Sequence, residues 1–122
     1  GSAGALQLDC NENAPCNFSV TSNNFSANLA GLNGGAVYWT KQQPSFINNS
    51  FSDNSAAYGP DVASFGVKMK SLDEGKLARV SGSHFDIASG QRLPQPMVLA
   101  LIDHTGQVVK TDNSSTASIF PV

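Results

Sequence analysis

The segment NNFSANLAGLNGGAVYW at residues 23–39 returns in altered form as NNSFSDNSAAYGPDVAS at residues 48–64. Phe25 and Phe51 stand 26 residues apart, as do Asn28 with Asn54 and Ala30 with Ala56, whereas Val37 and Val62 stand 25 apart. A unit of this length cannot bury its own apolar face, and such units are satisfied by stacking on one another. Each copy reads N-x-F-S-x-N-x-A, then a turn at Gly34-Gly35 or Gly59-Pro60. A short run follows, Ala36-Val37-Tyr38-Trp39 or Asp61-Val62-Ala63-Ser64. Short apolar runs, glycine turns and no helical period point to β structure throughout. The expected arrangement is a solenoid with equivalent residues about 4.8 Å apart. Phe25 then lies on Phe51, and Asn28 and Asn54 bond along the stack at a corner. The pattern also fits two hairpins of a sandwich with Asn-rich turns.

The remaining composition narrows the partners. The chain has 122 residues, enough for one domain or two very small ones, and 40% of them are hydrophobic. Charged residues are 13% of the chain and the formal net charge is -2, so there is no basic field to draw nucleic acid or an anionic membrane. No apolar run approaches the roughly 18 residues of a membrane span, so no membrane insertion is expected. The first residues lack the layout of a signal peptide, so an exported form has already lost its signal. Cys10 and Cys16 enclose the turn-forming Asn-Glu-Asn-Ala-Pro and are expected to form a disulfide; two thiols, buried or metal-binding, are the alternative. Sequons stand at Asn17, Asn24, Asn48 and Asn113, none with Pro in the middle position. Together they point to an extracellular or cell-surface glycoprotein carrying N-linked glycans.

The motifs F-x-x-N and G-G-A-[VIL] carry a family resemblance. Here they are Phe25-Ser26-Ala27-Asn28 with Gly34-Gly35-Ala36-Val37, and Phe51-Ser52-Asp53-Asn54. They resemble the polymorphic outer-membrane-protein repeats, and the run Tyr58 to Ser64 is similar to stretches of cell-surface proteins of green algae and ciliates. The resemblance covers about residues 17–66. It implies a short right-handed parallel β-helix and a surface, adhesive or structural role without enzymatic activity. Gly59-Pro60-Asp61 departs from the second Gly-Gly-Ala and suggests a final coil.

Downstream the texture changes. Val67-Lys68-Met69-Lys70 alternates, Ser71 to Gly75 reads as a turn, and Met97 to Ile102 reads as a strand ending at Asp103-His104-Thr105-Gly106. Gln107 to Lys110 is expected to return as a hairpin partner, with a further strand over Thr116 to Phe120. This layout is similar to the opening strands of immunoglobulin-like modules, although a whole sandwich takes about 100 residues. The expected organisation is all-β: a candidate donor strand in an extension over residues 1–9, a β-helix-like section over residues 10–66, and a partial immunoglobulin-like β-sandwich over residues 67–122.

Catalytic readings find little to stand on, and no cofactor, metal or catalytic residue is assigned. A polysaccharide-cleaving β-helix needs clustered carboxylates on one face. Asp53 and Asp61 belong instead to repeat turns, and Asp73-Glu74 and Asp103 to expected loops. His84 and His104 lie in no nucleophile motif, and Asp103 with Asp112 falls short of a calcium ligand series. Tyr38 and Trp39 suit core packing, with a sugar-stacking platform as the alternative. The expected function is a self-assembling structural glycoprotein. An adhesin that binds extracellular carbohydrate is the main rival, and a carbohydrate-active enzyme the more distant one. Gly4, Leu6 and Leu8 share one face of a segment with no evident local partner, which has the form of a donor strand for a neighbouring copy near Val98–Ile102 or Thr116–Phe120. An ordinary disordered N-terminus is the competing reading.

Overall fold

The computed structural model describes residues 1–11, 13, 15–73, 76–78, 88–92 and 98–118. These residues are all-β. Seven three-residue strands come first: β1 Leu6–Leu8, β2 Ser19–Thr21, β3 Asn24–Ser26, β4 Val37–Trp39, β5 Ser45–Ile47, β6 Ser50–Ser52 and β7 Val62–Ser64. They pair in parallel as β1-β4-β7, β2-β5 and β3-β6. The registers join equivalent residues of successive turns, with Leu6, Val37 and Val62 in one column, Val20 beside Phe46, and Phe25 beside Phe51. Bridges Leu29↔Ser55 and Asn33↔Tyr58 continue the match between the strands. The spacing falls from 26 to 25 between them, which accounts for the shorter offset of Val37 and Val62.

The strands are short because left-handed corner residues end them. Ser22 (φ 56°) and Ala27 (φ 53°) flank β3, and Asn48 (φ 53°) and Asp53 (φ 54°) flank β6 at the same places. A left-handed residue costs about 1–2 kcal/mol unless it is Gly, Asn or Asp, so the corners are cheaper in the later coil. Between β3 and β4 the turn uses Gly34 at φ 63°, with Gly59 at φ 60° above it and Ala3 at φ 60° below. Ala3-Gly4-Ala5-Leu6 is therefore a third copy of Gly34-Gly35-Ala36-Val37. Its spacing to the next copy is stretched to 31 by the loop that holds Cys10 and Cys16.

A column of close backbone contacts runs through these turns. A Cβ on Gly4 would lie 2.1 Å from Gly35 O, and one on Gly35 would lie 1.9 Å from Pro60 O and 2.8 Å from Ser55 N. Each coil thus rests on the bare Cα of the coil before it. Pro60 is exposed, and no described coil rests on it, so a ring is tolerated there.

Phe25 and Phe51 stack with centroids 5.2 Å apart and planes 12° from parallel. Both are only half-buried, so either Phe→Ala change is expected to cost about 2–3 kcal/mol rather than the larger loss of a sealed core. Chemical denaturation of the two variants measures this, and losses below about 1 kcal/mol at both sites would contradict the stack.

The second sheet is antiparallel, in the order β10-β8-β9, with β8 Gly66–Asp73, β9 Lys76–Ala78 and β10 Val98–Asp103. Three expectations are corrected here. β8 continues through Ser71 to Asp73, which pairs with Lys76, so the part of the expected turn over Ser71–Asp73 is strand; Glu74 and Gly75 lie outside the described residues. Gln107–Lys110 returns only as the single bridge Ile102↔Val108. Thr116–Ser118 is exposed and forms no strand, while Ile119 and Phe120 lie outside the described residues.

The largest fully buried side chains are Trp39, Ile102, Val37, Asp103 and Ser64. They come from both halves, so the packing centre includes the seam between the stacked strands and the second sheet. Burying one such apolar side chain stabilises by about 1.5–3 kcal/mol.

Candidate functional site

Two arrangements order the polar chemistry of the molecule. The first is a pair of asparagine ladders. Asn28 donates from its backbone N and its Nδ2 to Asn54 Oδ1, both at 3.0 Å. Asn23 does the same to Asn49 Oδ1 at 2.9 and 3.3 Å. The upper asparagines reach back, Asn49 Nδ2 to Val20 O at 2.7 Å and Asn54 Nδ2 to Phe25 O at 3.0 Å. Asn54 Nδ2 also donates to Asp61 Oδ1 at 3.0 Å. Each ladder asparagine therefore serves a corner where the backbone turns out of its strand pairing. Sequence reasoning found Asn28 with Asn54 and missed Asn23 with Asn49, although the offset is the same.

The second arrangement is a cap over β7 built on Asp103, which is 1% exposed. Asp103 Oδ2 accepts from Ser64 N at 3.1 Å. Its Oδ1 accepts from Thr105 N at 2.9 Å, Thr105 Oγ1 at 2.7 Å and Gln107 N at 3.0 Å. Gln107 Nε2 donates to Val62 O at 2.8 Å, and His104 N donates to Ser64 Oγ at 3.0 Å. These bonds occupy Ser64 N and Val62 O of β7, beside which no further strand lies among the described residues. The sequence placed Asp103 in a loop, but it ends β10, and its carboxylate oxygens are engaged within the protein. Among the described residues no three His, Cys, Asp or Glu come together as a metal site.

Beside the cap, Tyr58 is 4% exposed; its hydroxyl donates to Ser64 O and accepts from Asn33 Nδ2 at 3.4 Å. Burial pushes the Tyr58 phenol up to about 12; Tyr38 and Asp103 add to this, and the Asn33 hydrogen bond opposes it. Tyr38 is raised too, first by burial and then by Asp9. Because the neutral phenol is favoured in the fold, its contribution is complete below about pH 10, the value in the unfolded chain. The contribution drains as pH rises toward 12. Denaturation midpoints followed with tyrosinate absorbance are expected to hold to about pH 10 and then fall, more steeply in the parent than in Tyr58→Phe. Equal alkaline loss in both would remove Tyr58 from this role.

The residues singled out in the sequence are spread over the molecule. Cys10 and Cys16 form a disulfide with Cα atoms 5.7 Å apart. Asn17, Asn24, Asn48 and Asn113 are all exposed, and Asn24 Oδ1 accepts from Ser50 Oγ at 3.1 Å. Gly4, Leu6 and Leu8 lie in or beside β1. The expectation that this segment lacks a local partner is corrected, because β1 pairs with β4 of the same chain and Leu32 N donates to Gly1 O at 3.2 Å. Leu6 and Leu8 are half-buried, while Gly4 and Gln7 are exposed. Trp39 is fully buried against His104, with ring centroids 4.9 Å apart, and offers no open face to a sugar. His104 is exposed and also meets Phe65; His84 lies outside the described residues. No protein family, curated protein or solved structure matches the chain.

Proposed function

We propose that the chain is a non-enzymatic structural module of an extracellular glycoprotein. In this reading the stacked strands are a short right-handed parallel β-helix of the polymorphic outer-membrane-protein repeat type. The second sheet is a partial immunoglobulin-like unit that closes its last coil. The observation that carries the reading is the in-register parallel stack, whose strands, corners and Asn ladders repeat while the outward residues of β2, β3, β5 and β6 are Ser, Thr and Asn except for Ile47. Such a surface suits a coat or fibre more than a reaction centre. The disulfide and the four exposed sequons support an extracellular setting.

Self-assembly is part of the proposal. Because β1 is engaged in its own chain, association by strand donation requires either its release or another edge. Val98–Ala100 of β10, which among the described residues pairs only with β8, is one. Negative-stain imaging of material from the native source, with intact mass before and after glycosidase, tests the proposal. Ordered fibres or layers of glycosylated chain are expected. Dispersed, unmodified chain, or turnover of a polysaccharide abolished by Asp61→Asn, would contradict it.

A further inference from the structure

The first coil is built on one side only. β1 lies below β4, taking β1 as the lower end, but no described strand lies below β2 or β3. In β3 the alternation of the backbone sets which groups face that open side. Asn23 O accepts from Ser50 N at 2.9 Å and Ala27 N donates to Ser52 O at 3.0 Å, so the odd-numbered residues bond upward. Asn24 and Ser26 therefore direct their backbone groups downward. The ladders show the same imbalance. Oδ1 of Asn49 and Oδ1 of Asn54 each accept two bonds from the coil below. Among the described residues, Oδ1 of Asn23 and Oδ1 of Asn28 accept none.

We propose that this lower edge binds an extended Asn-x-Phe-x-x-Asn segment from another chain, in parallel register, which completes the first coil. The pattern follows from the set of groups that β3 and its ladder asparagines present. The partner's two asparagines donate from backbone N and Nδ2 to Asn23 Oδ1 and Asn28 Oδ1, repeating the bonds already seen one coil higher. Its Phe stacks on the free side of Phe25, at the spacing of the Phe25–Phe51 pair, 5.2 Å. The residue before each asparagine pairs with Ser22 or Ala27 and takes their left-handed φ of 56° or 53°. An intact second copy does not fit, because its β7 and the Asp103 cap would occupy the level that β1 and β4 fill. A free segment does. The contacts are uncharged, so the affinity varies little with salt. This inference rests on the stacked-coil reading and deepens its assembly.

The test uses the full chain, isotope-labelled, titrated with a synthetic peptide of residues 46–56, which carries Asn49, Phe51 and Asn54. Saturable shifts centred on Asn24, Ser26 and Asn28 are expected, with slowed amide exchange at Asn24 and Ser26. Binding should be at least about tenfold weaker for a peptide with both asparagines replaced by Ala. Ser26→Pro in the chain removes a downward N–H and is expected to abolish binding while the Phe25–Phe51 ring contact persists. No shifts at millimolar peptide, equal binding of a scrambled peptide, or shifts confined to β10 would overturn the proposal. The Phe25–Phe51 contact in the free chain separates the two readings: if it persists, the stack stands even where the edge proposal fails.

Discussion

Gly35→Ala is expected to destabilise the protein by at least about 3 kcal/mol, a large share of the roughly 5–15 kcal/mol available to a domain. The added Cβ would lie 1.9 Å from Pro60 O and 2.8 Å from both N and O of Ser55, all backbone atoms of the coil above. No side chain can rotate away, so the coils must part. Gly31 is the control. Its nearest neighbour to an added Cβ is Gly1 N at 3.5 Å and its φ is not positive, so Gly31→Ala should change stability by less than about 0.5 kcal/mol. Urea denaturation of the two variants side by side gives the comparison. Equal effects would mean that the coils are not in contact at this column.

Asp103→Ala should be comparably severe, at about 3 kcal/mol, because it removes the buried acceptor that ties the end of β7 to the turn after β10. Ser64 N loses its acceptor at the end of β7, and Thr105 and Gln107 lose theirs in the turn after β10. Asp103→Asn retains the shape and one acceptor, and should cost less. If Asp103 were an ordinary exposed loop carboxylate, both changes would be nearly silent in calorimetry.

The parts of this architecture that were legible in the sequence are those where equivalent residues keep one identity. Phe25 with Phe51 and Asn28 with Asn54 are identical pairs at one offset, and both meet as expected. The first copy of the turn was hidden for two physical reasons. Ala3 occupies a left-handed position where glycine is the usual signal, and the Cys10–Cys16 loop lengthens the spacing. The segment therefore looked unpartnered although it forms β1. The Asp103 cap was illegible for a different reason. It joins residues 39 to 45 positions apart with no shared pattern, and its chemistry appears only when β10 is laid against β7. Pro60 stands where the glycine column ends among the described residues, and no described coil above it requires a bare Cα there.

The most direct measurement of the central claim is a set of proton–proton distances in the isotope-labelled chain in solution. Parallel stacking at the observed registers predicts cross-strand backbone contacts from Asn24–Ser26 to Ser50–Ser52 and from Val37–Trp39 to Val62–Ser64, together with a ring contact between Phe25 and Phe51. Close α-proton pairs between Ser19–Thr21 and Asn24–Ser26, the mark of an antiparallel hairpin, would contradict the stack.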